Sequence, residues 1–320
     1  MNKYSPLARI APEFDKFQDR YLTADGQNRA RVSLTKAETL WFNTGTLCNI
    51  ECVNCYIESS PQNDRLAYLV LEDVSGYLSQ IKSRNWPVRE IGFTGGEPFM
   101  NPAMIDLVEA ALSQSYQVLI LTNAMRPMMR SRVQEGLKRL NQTYPGQMCL
   151  RVSLDHYTAR LNDEIRGTGN FEITLAGMRW LRDAGLTMTV AGRTIWGETE
   201  AETRAGFAAV YRQNSFDIDP ENPAQTVLFP EMDERVDVPE ITTACWDILQ
   251  KSPRDVMCAS SRMVVKRRGA DHPVVLACTL LPYDSEFEMG KTLQDAEADV
   301  YLKHRHCAKF CVLGGASCSG

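Results

Sequence analysis

The chain has no long apolar run. Its longest purely aliphatic stretch, Val118-Leu119-Ile120-Leu121, is far too short to span a bilayer, so no membrane span is expected. The start, Met1-Asn2-Lys3-Tyr4-Ser5-Pro6, lacks the apolar core of a secretory signal, and a cytoplasmic location is the expectation. A basic excess is missing too. With 35 Lys and Arg against 40 Asp and Glu the formal charge is -5, the reverse of the basic face that nucleic-acid binding needs. The locally basic run Lys266-Arg267-Arg268 reads as a solvated turn. There is no low-complexity tract and no internal repeat of sequence.

What the chain does have is cysteine, ten in 320 residues. In a reducing compartment disulfides are disfavoured, so these thiols point to metal or cluster ligation plus a few buried bystanders. Cys48, Cys52 and Cys55 stand as C-x-x-x-C-x-x-C. Three thiolates so close in a loop hold three corners of an iron-sulfur cube and leave the fourth iron open to a chelating molecule. Structural zinc would require four ligands, and residues 56–65 add neither cysteine nor histidine.

From about residue 37 the pattern alternates between strand-like and helix-like stretches. Strands are predicted at Thr39 to Asn43, Val88 to Thr94, Gln117 to Thr122, Met148 to Asp155, Leu186 to Thr194 and Thr226 to Phe229. Helical periodicity lies between them, around Leu71 to Ile81, Ile105 to Leu112, Val133 to Leu140, Ile173 to Leu181 and Phe207 to Tyr211. Such alternation implies parallel strands joined by right-handed crossovers, an α/β chain whose six units make an incomplete barrel. Chemistry then sits at the carboxyl ends of the strands, and the cysteine triplet follows the first one. Residues 1–36 read as an N-terminal arm, 37–230 as the core, and 231–320 as a separate module. The module holds a short helix near Ile241 to Gln250, a hairpin of Arg262 to Arg268 with Pro273 to Cys278, and a last helix around Leu293 to Leu302. Cys258 and Cys278 fall near the outer ends of the hairpin arms, which would bring their thiols together.

With these residues in place, the chain resembles a radical S-adenosylmethionine enzyme over about residues 37–230. The resemblance rests on Cys48, Cys52 and Cys55, on Gly95-Gly96-Glu97-Pro98 after the second strand, on Leu121-Thr122-Asn123 closing the third and on Val152-Ser153-Leu154-Asp155 closing the fourth. It implies a partial (βα)6 barrel like that of triosephosphate isomerase. It also implies a 4Fe-4S cluster whose open iron is chelated by S-adenosylmethionine, and reductive cleavage of that cofactor to a 5'-deoxyadenosyl radical that abstracts a substrate hydrogen. Gly95 and Gly96 would let the backbone approach the cofactor's amino group, with the Glu97 carboxylate nearby and Pro98 starting the next element. Ser153 and Asp155 suit ribose hydroxyls, with Thr122 and Asn123 at the adjacent strand end. Tyr56 would face the adenine, and Arg193 would meet the cofactor's carboxylate or form a surface ion pair. Family members often carry an aromatic residue just before the third cysteine; here it is Asn54.

The later cysteines, Cys258, Cys278, Cys307, Cys311 and Cys318, resemble the C-terminal SPASM or twitch auxiliary-cluster modules of that superfamily, although the tail spacings depart from the usual ones. The resemblance implies one further 4Fe-4S cluster on Cys258, Cys278, Cys311 and either Cys307 or Cys318. Zinc is the alternative, with His304 and His306 as extra ligands, but these histidines read better as serving a helix dipole. Cys245 and Cys149 read as buried bulk, His156 as a rim hydrogen bond, and Met125, Met128 and Met129 as packing. The expected function is hydrogen abstraction from a small molecule or short peptide, for an oxidation, cross-link or rearrangement, with a flavodoxin or ferredoxin as reductant. A peptide is the less favoured substrate, since a leader-binding domain has no room ahead of residue 37. The alternatives are a non-catalytic iron-sulfur carrier, which would not need Gly95 to Pro98, and an RNA-modifying enzyme.

Overall fold

The computed structural model describes residues 16–230 and 236–315. Its elements in chain order begin with β1 (Arg31–Val32), β2 (Thr39–Asn43), α1 (Leu71–Ser83), β3 (Glu90–Thr94), α2 (Met104–Leu112) and β4 (Gln117–Thr122). Then come α3 (Ser131–Thr143), β5 (Met148–Ser153), α4 (Ala159–Arg166), α5 (Asn170–Asp183), β6 (Thr187–Arg193), α6 (Glu200–Asn214) and β7 (Thr226–Phe229). The remainder is α7 (Cys245–Leu249), β8 (Ser261–Val265), β9 (Val274–Leu276), β10 (Glu288–Gly290), β11 (Val300–Tyr301) and a π-helical segment, Cys307–Leu313.

Strands β2 to β7 pair in sequence order, all parallel, as the alternation predicts. Their residues divide by parity, because successive side chains point to opposite faces of a strand. Leu40 and Phe42 of β2, Val118 and Ile120 of β4, and Leu150 and Val152 of β5 join the helices in one core. α1 meets that core with Val74, Tyr77, Leu78 and Ile81, a helical stripe whose aliphatic members each stabilise by about 2 kcal/mol when buried. The opposite parity, with Trp41 and Leu119, faces the concave side and forms a second core. Gly92 is fixed by this arrangement: a Cβ there would lie 2.3 Å from the Trp41 ring.

The concave side is filled by the C-terminal residues Val256, Met257, Leu280, Leu281, Phe310 and Val312. The module therefore does not stand apart from the barrel. β8 pairs parallel with β2, Thr39 opposite Ser261 through Phe42 opposite Val264. β9 and β10 continue antiparallel, giving one open sheet of nine strands in the order β10-β9-β8-β2-β3-β4-β5-β6-β7. The six-stranded expectation thus gains a seventh parallel strand, contributed from beyond residue 230.

The expected helix over Leu293 to Leu302 is absent. A single 3-10 turn, Asp295–Glu297, is followed by β11, whose Val300 and Tyr301 pair with Val32 and Arg31. The Asp295 side chain accepts the backbone N–H groups of Lys291 and Thr292, which holds a turn where a helix would start. Part of the arm is firmly tied as well. Arg29 is buried, 2.6 Å from Glu240, and also donates to the carbonyls of Asp19 and Leu22. Of the basic run only Arg268 is exposed; Lys266 and Arg267 are half-buried, and all three are paired: Lys266 meets Asp73, Arg267 meets Glu288 and Arg268 meets Asp64. Among the described residues no helix is long and apolar enough to cross a membrane. Pro6, Pro12, Cys318 and most of the acidic stretch after Pro230 lie outside the described residues.

Candidate functional site

Because β2 to β6 run parallel, the loops that leave their carboxyl ends meet at one rim. The loop after β2 carries the cysteine triplet and is closed on itself. The Cys48 N–H donates to the Ser60 carbonyl at 3.1 Å and the Glu58 N–H to the Cys55 carbonyl at 2.9 Å, while the Val53 N–H reaches Ile165 of α4 at 2.9 Å. Asn54 bends the loop with φ 55°. Asn adopts this left-handed region more readily than bulkier residues do, which gives a local reason for Asn in place of an aromatic.

Gly95 and Gly96 follow β3 and pack directly beneath that loop. A Cβ on Gly95, where φ is +143°, would stand 2.4 Å from the Gly45 carbonyl oxygen, and one on Gly96 would stand 2.3 Å from that of Leu47. Their first steric partner is therefore the protein's own backbone at the root of the cysteine loop, and not only an incoming ligand. Glu97 is 2% exposed. Its carboxylate accepts from Thr122 Oγ1 at 2.8 Å and from the N–H groups of Asn123 at 2.8 Å and Phe99 at 3.2 Å. Burial outweighs these three donors and pushes its pKa up to about 7. Glu97 ties the end of β4 to the segment after β3, and neither Glu97 nor Pro98 is among the residues that line the cavity.

The rim encloses a cavity of about 170 Å³. Cys48, Cys52, Cys55, Tyr56, Gly95, Gly96, Thr122, Asn123, Ser153, Asp155 and Arg193 all line it, so the structure gathers these expected residues into one wall. The thiols are sheltered. Burial pushes the Cys48 pKa up to about 12 and raises that of Cys52, so both stay protonated at neutral pH unless something positively charged binds them. Asn123 donates Nδ2–H toward Cys48 Sγ at 3.8 Å and to Asn49 Oδ1 at 2.9 Å.

Opposite the thiols, Asp155 holds two guanidiniums. Its Oδ1 lies 3.2 Å from Arg193 Nε and its Oδ2 lies 2.9 Å from Arg166 Nε. The second contact lacks the alignment of a hydrogen bond, and Arg166 bonds instead from Nη2 to Oδ1 at 3.3 Å. Burial works against the Arg166 charge, but Asp155 and Cys52 together hold its pKa above the usual value. Two cations on one carboxylate leave surplus positive charge in the cavity, and its field acts on Cys52.

Several lining residues were not expected from sequence. Arg151 lies two positions before Ser153 and so shares its face of β5, a period-2 signal that was present but unread. Arg166 ends α4, a helix that no expectation covered. Leu280, Phe229 and Phe310 close the cavity, the two phenylalanine rings stacked at 5.5 Å; nothing local to their sequence marks them.

The later cysteines form a second group away from the cavity wall. Cys258 and Cys307 are buried, with Cys278 and Cys311 half-buried against the same core. Burial drives the Cys307 thiol well above its ordinary pKa, and the neighbouring Cys278 and Cys258 push it further. Burial also pushes Cys258 up to about 11. Cys245 accepts from the Thr242 N–H at 3.4 Å and Cys149 lies within β5; both are half-buried, short of the full burial expected. His304 and His306 correct their expectation: they precede the start of the π-helical segment, where positive charge is disfavoured, and burial holds the His304 pKa down to about 4. His156 makes its rim hydrogen bonds, at 2.9 Å to Thr158 and 3.1 Å to Glu198. Met125 and Met128 are buried and Met129 packs against the core.

The donor sets suit the groups that the motifs imply. Among the described residues no three His, Cys, Asp or Glu side chains converge tightly enough to hold a single metal ion. The Cys48, Cys52 and Cys55 thiols, spread along the cavity wall, suit a larger body. Ser59 Oγ, in the cavity wall, is buried without a hydrogen-bond partner, and the surplus positive charge beside Asp155 matches a carboxylate.

A family model described as the radical SAM superfamily matches residues 42–205, just over half of the chain. The antilisterial bacteriocin subtilosin biosynthesis protein AlbA of Bacillus subtilis is 30% identical over 171 residues, 53% of this chain and 35% of its own. Mycofactocin maturase MftC of Mycobacterium tuberculosis is 31% identical over 183 residues, 57% of this chain and 39% of its own. The chain thus spans less than half the length of these relatives. Among solved structures, Streptococcus suis SuiB bound to S-adenosylmethionine aligns with TM-score 0.56 at 15% identity, covering 80% of this chain and 63% of SuiB. SuiB has also been solved bound to its precursor peptide SuiA, with TM-score 0.55 to this chain.

Proposed function

The chain belongs to the radical S-adenosylmethionine superfamily, and from that premise we propose that it is an enzyme that abstracts hydrogen from a peptide substrate. When bound, a 4Fe-4S cluster with S-adenosylmethionine on its open iron supplies reductive cleavage of the sulfonium and hydrogen-atom abstraction. The single observation that carries the reading is the shared cavity: the cysteine loop and the ends of β3 to β6 line one sheltered wall.

In this reading Cys48, Cys52 and Cys55 hold three irons and Asn123 donates a hydrogen bond to the Cys48 sulfur. The surplus charge of Arg166 and Arg193 receives the cofactor's carboxylate, and Ser153 with Asp155 orients its ribose. Gly95 and Gly96 keep the cysteine loop seated, while Glu97 fixes Thr122 and Asn123 in the wall. Tyr56 offers a ring beside the cluster. Leu280, Phe229 and Phe310 exclude water and oxygen from the reacting centre. One-electron reduction falls to a flavodoxin or ferredoxin type of protein, in a reducing, cytoplasmic setting.

A peptide is placed ahead of a small molecule, reversing the order expected from sequence. Support comes from SuiB, which has been solved bound to a precursor peptide, and from the maturase among the relatives. The second cysteine group, Cys258, Cys278, Cys307 and Cys311, would carry an auxiliary 4Fe-4S cluster, with Cys318 as the alternative fourth ligand. Residues 231–320 would then be its module, even though β8 joins the barrel sheet.

The test is spectroscopic. Reduced, anaerobically reconstituted protein should give a cluster signal in electron paramagnetic resonance that changes on adding S-adenosylmethionine, and Cys52→Ala should abolish that change. A signal indifferent to S-adenosylmethionine in fully loaded protein would reject the proposal.

A further inference from the structure

Arg262 of β8 is 1% exposed and faces no carboxylate among the described residues. Arg29, Arg166 and Arg204, buried to a similar degree, face Glu240, Asp155 and Glu200. Arg262 is held by carbonyls alone. Nε donates to Ala296 at 2.8 Å, Nη1 to Cys258 at 2.5 Å and Ser261 at 2.8 Å, and Nη2 to Ala298 at 3.5 Å.

A buried cation without an anion is costly, and carbonyl dipoles offset only part of that cost. Arg262 touches the Cys258 backbone, and the antiparallel pairing of β8 with β9, Met263 opposite Leu276, runs the chain on to Cys278 beside the start of β8. A guanidinium keeps its charge at any ordinary pH, and the thiols set closest to this one in the fold are those of Cys258 and Cys278. These are two of the cysteines assigned above to the auxiliary cluster.

Resting on that assignment, we propose that Arg262 is the fixed counter-charge of the auxiliary cluster and raises its reduction potential. Each electron added makes a thiolate-bound cluster more negative. A cation fixed nearby therefore stabilises the reduced form more than the oxidised one. The position is specific, because Arg262 donates to the carbonyl of Cys258 itself, so the charge travels with the ligand loop. Arg262 is a positioning residue in this account; it need touch neither substrate nor cofactor.

The experiment uses the full chain with Cys48, Cys52 and Cys55 replaced by Ala, so that only the second group can hold iron. After anaerobic reconstitution, a redox titration followed by electron paramagnetic resonance gives the midpoint potential. Two neutral replacements of different shape, Arg262→Gln and Arg262→Met, should both shift the midpoint to more negative values by similar amounts. Arg262→Lys should restore most of the shift, with iron content and circular dichroism matched among all proteins compared. Equal midpoints in the parent and the neutral variants, at equal iron content, would overturn the role of Arg262 and leave the auxiliary cluster standing. A triple-Ala parent that binds no iron would overturn both.

Discussion

Replacing Gly96 by Ala should uncouple the cysteine loop from the barrel. The new Cβ would lie 2.3 Å from the Leu47 oxygen, 2.6 Å from the Thr46 oxygen and 2.7 Å from the Leu47 carbonyl carbon, all of them backbone atoms that cannot rotate away. An ordinary carbon-oxygen contact is about 3.3 Å, so the Leu47 peptide must move by about 1 Å. Leu47 precedes Cys48, and its carbonyl is already held by the Glu97 N–H at 3.1 Å, so the displacement passes into the first ligand. Overpacking of this kind costs about 3 kcal/mol where the neighbours are rigid. For a chain of this length that corresponds to a fall in melting temperature of about 5 °C. The informative control is Gly92→Ala, whose Cβ meets the Trp41 ring at 2.3 Å but lies inside the sheet, away from the cysteines. Both variants should melt lower, and only Gly96→Ala should lose iron after reconstitution. The reasoning is refuted if Gly96→Ala loads and melts like the parent, or if Gly92→Ala loses as much iron.

Other perturbations follow from the same geometry. Glu97 has a folded-state pKa raised from 4.5 to about 7, so folding takes up a proton between those values. The stabilisation from its neutral form is complete below about pH 4.5 and lost as pH rises through about 7, an effect of up to about 3 kcal/mol; the downward slope of melting temperature across that window should flatten in Glu97→Gln. Asp155→Asn leaves Arg166 buried without its carboxylate and should cost about 3 to 5 kcal/mol in denaturant unfolding, whereas Arg193→Gln, at a more exposed end of the pair, should cost about 1 kcal/mol. If the two variants unfold alike, the buried pair is not the dominant one. Glu240→Gln should likewise cost about 3 kcal/mol by leaving Arg29 unpaired, read out by the same unfolding measurement.

Much of the barrel could be read from residues because its strands are short apolar runs bounded by turns. Thr39 to Asn43, Gln117 to Thr122 and Thr226 to Phe229 fall where the pattern puts them. The loop motifs were legible for the same reason, since each follows a strand whose end was already located. What could not be read depends on partners distant in sequence. Nothing within Ser261–Val265 says that it will pair with β2, some 220 residues earlier, rather than stand in a module of its own. Leu293, Ala296 and Val300 have helical spacing and are buried, but in a turn and a strand, because β1 offers Val300 a ladder and Asp295 caps the chain against helix formation. Arg262 carries no local mark at all. Its meaning comes from the cysteines that the fold brings around it.

The most direct test of the central claim is product formation. Anaerobically reconstituted protein, reduced with dithionite and given S-adenosylmethionine, should yield 5'-deoxyadenosine and methionine, with Cys52→Ala silent. Iron-loaded protein that yields no 5'-deoxyadenosine, alone or with peptide present, would contradict the account and leave the chain as a carrier of iron-sulfur clusters.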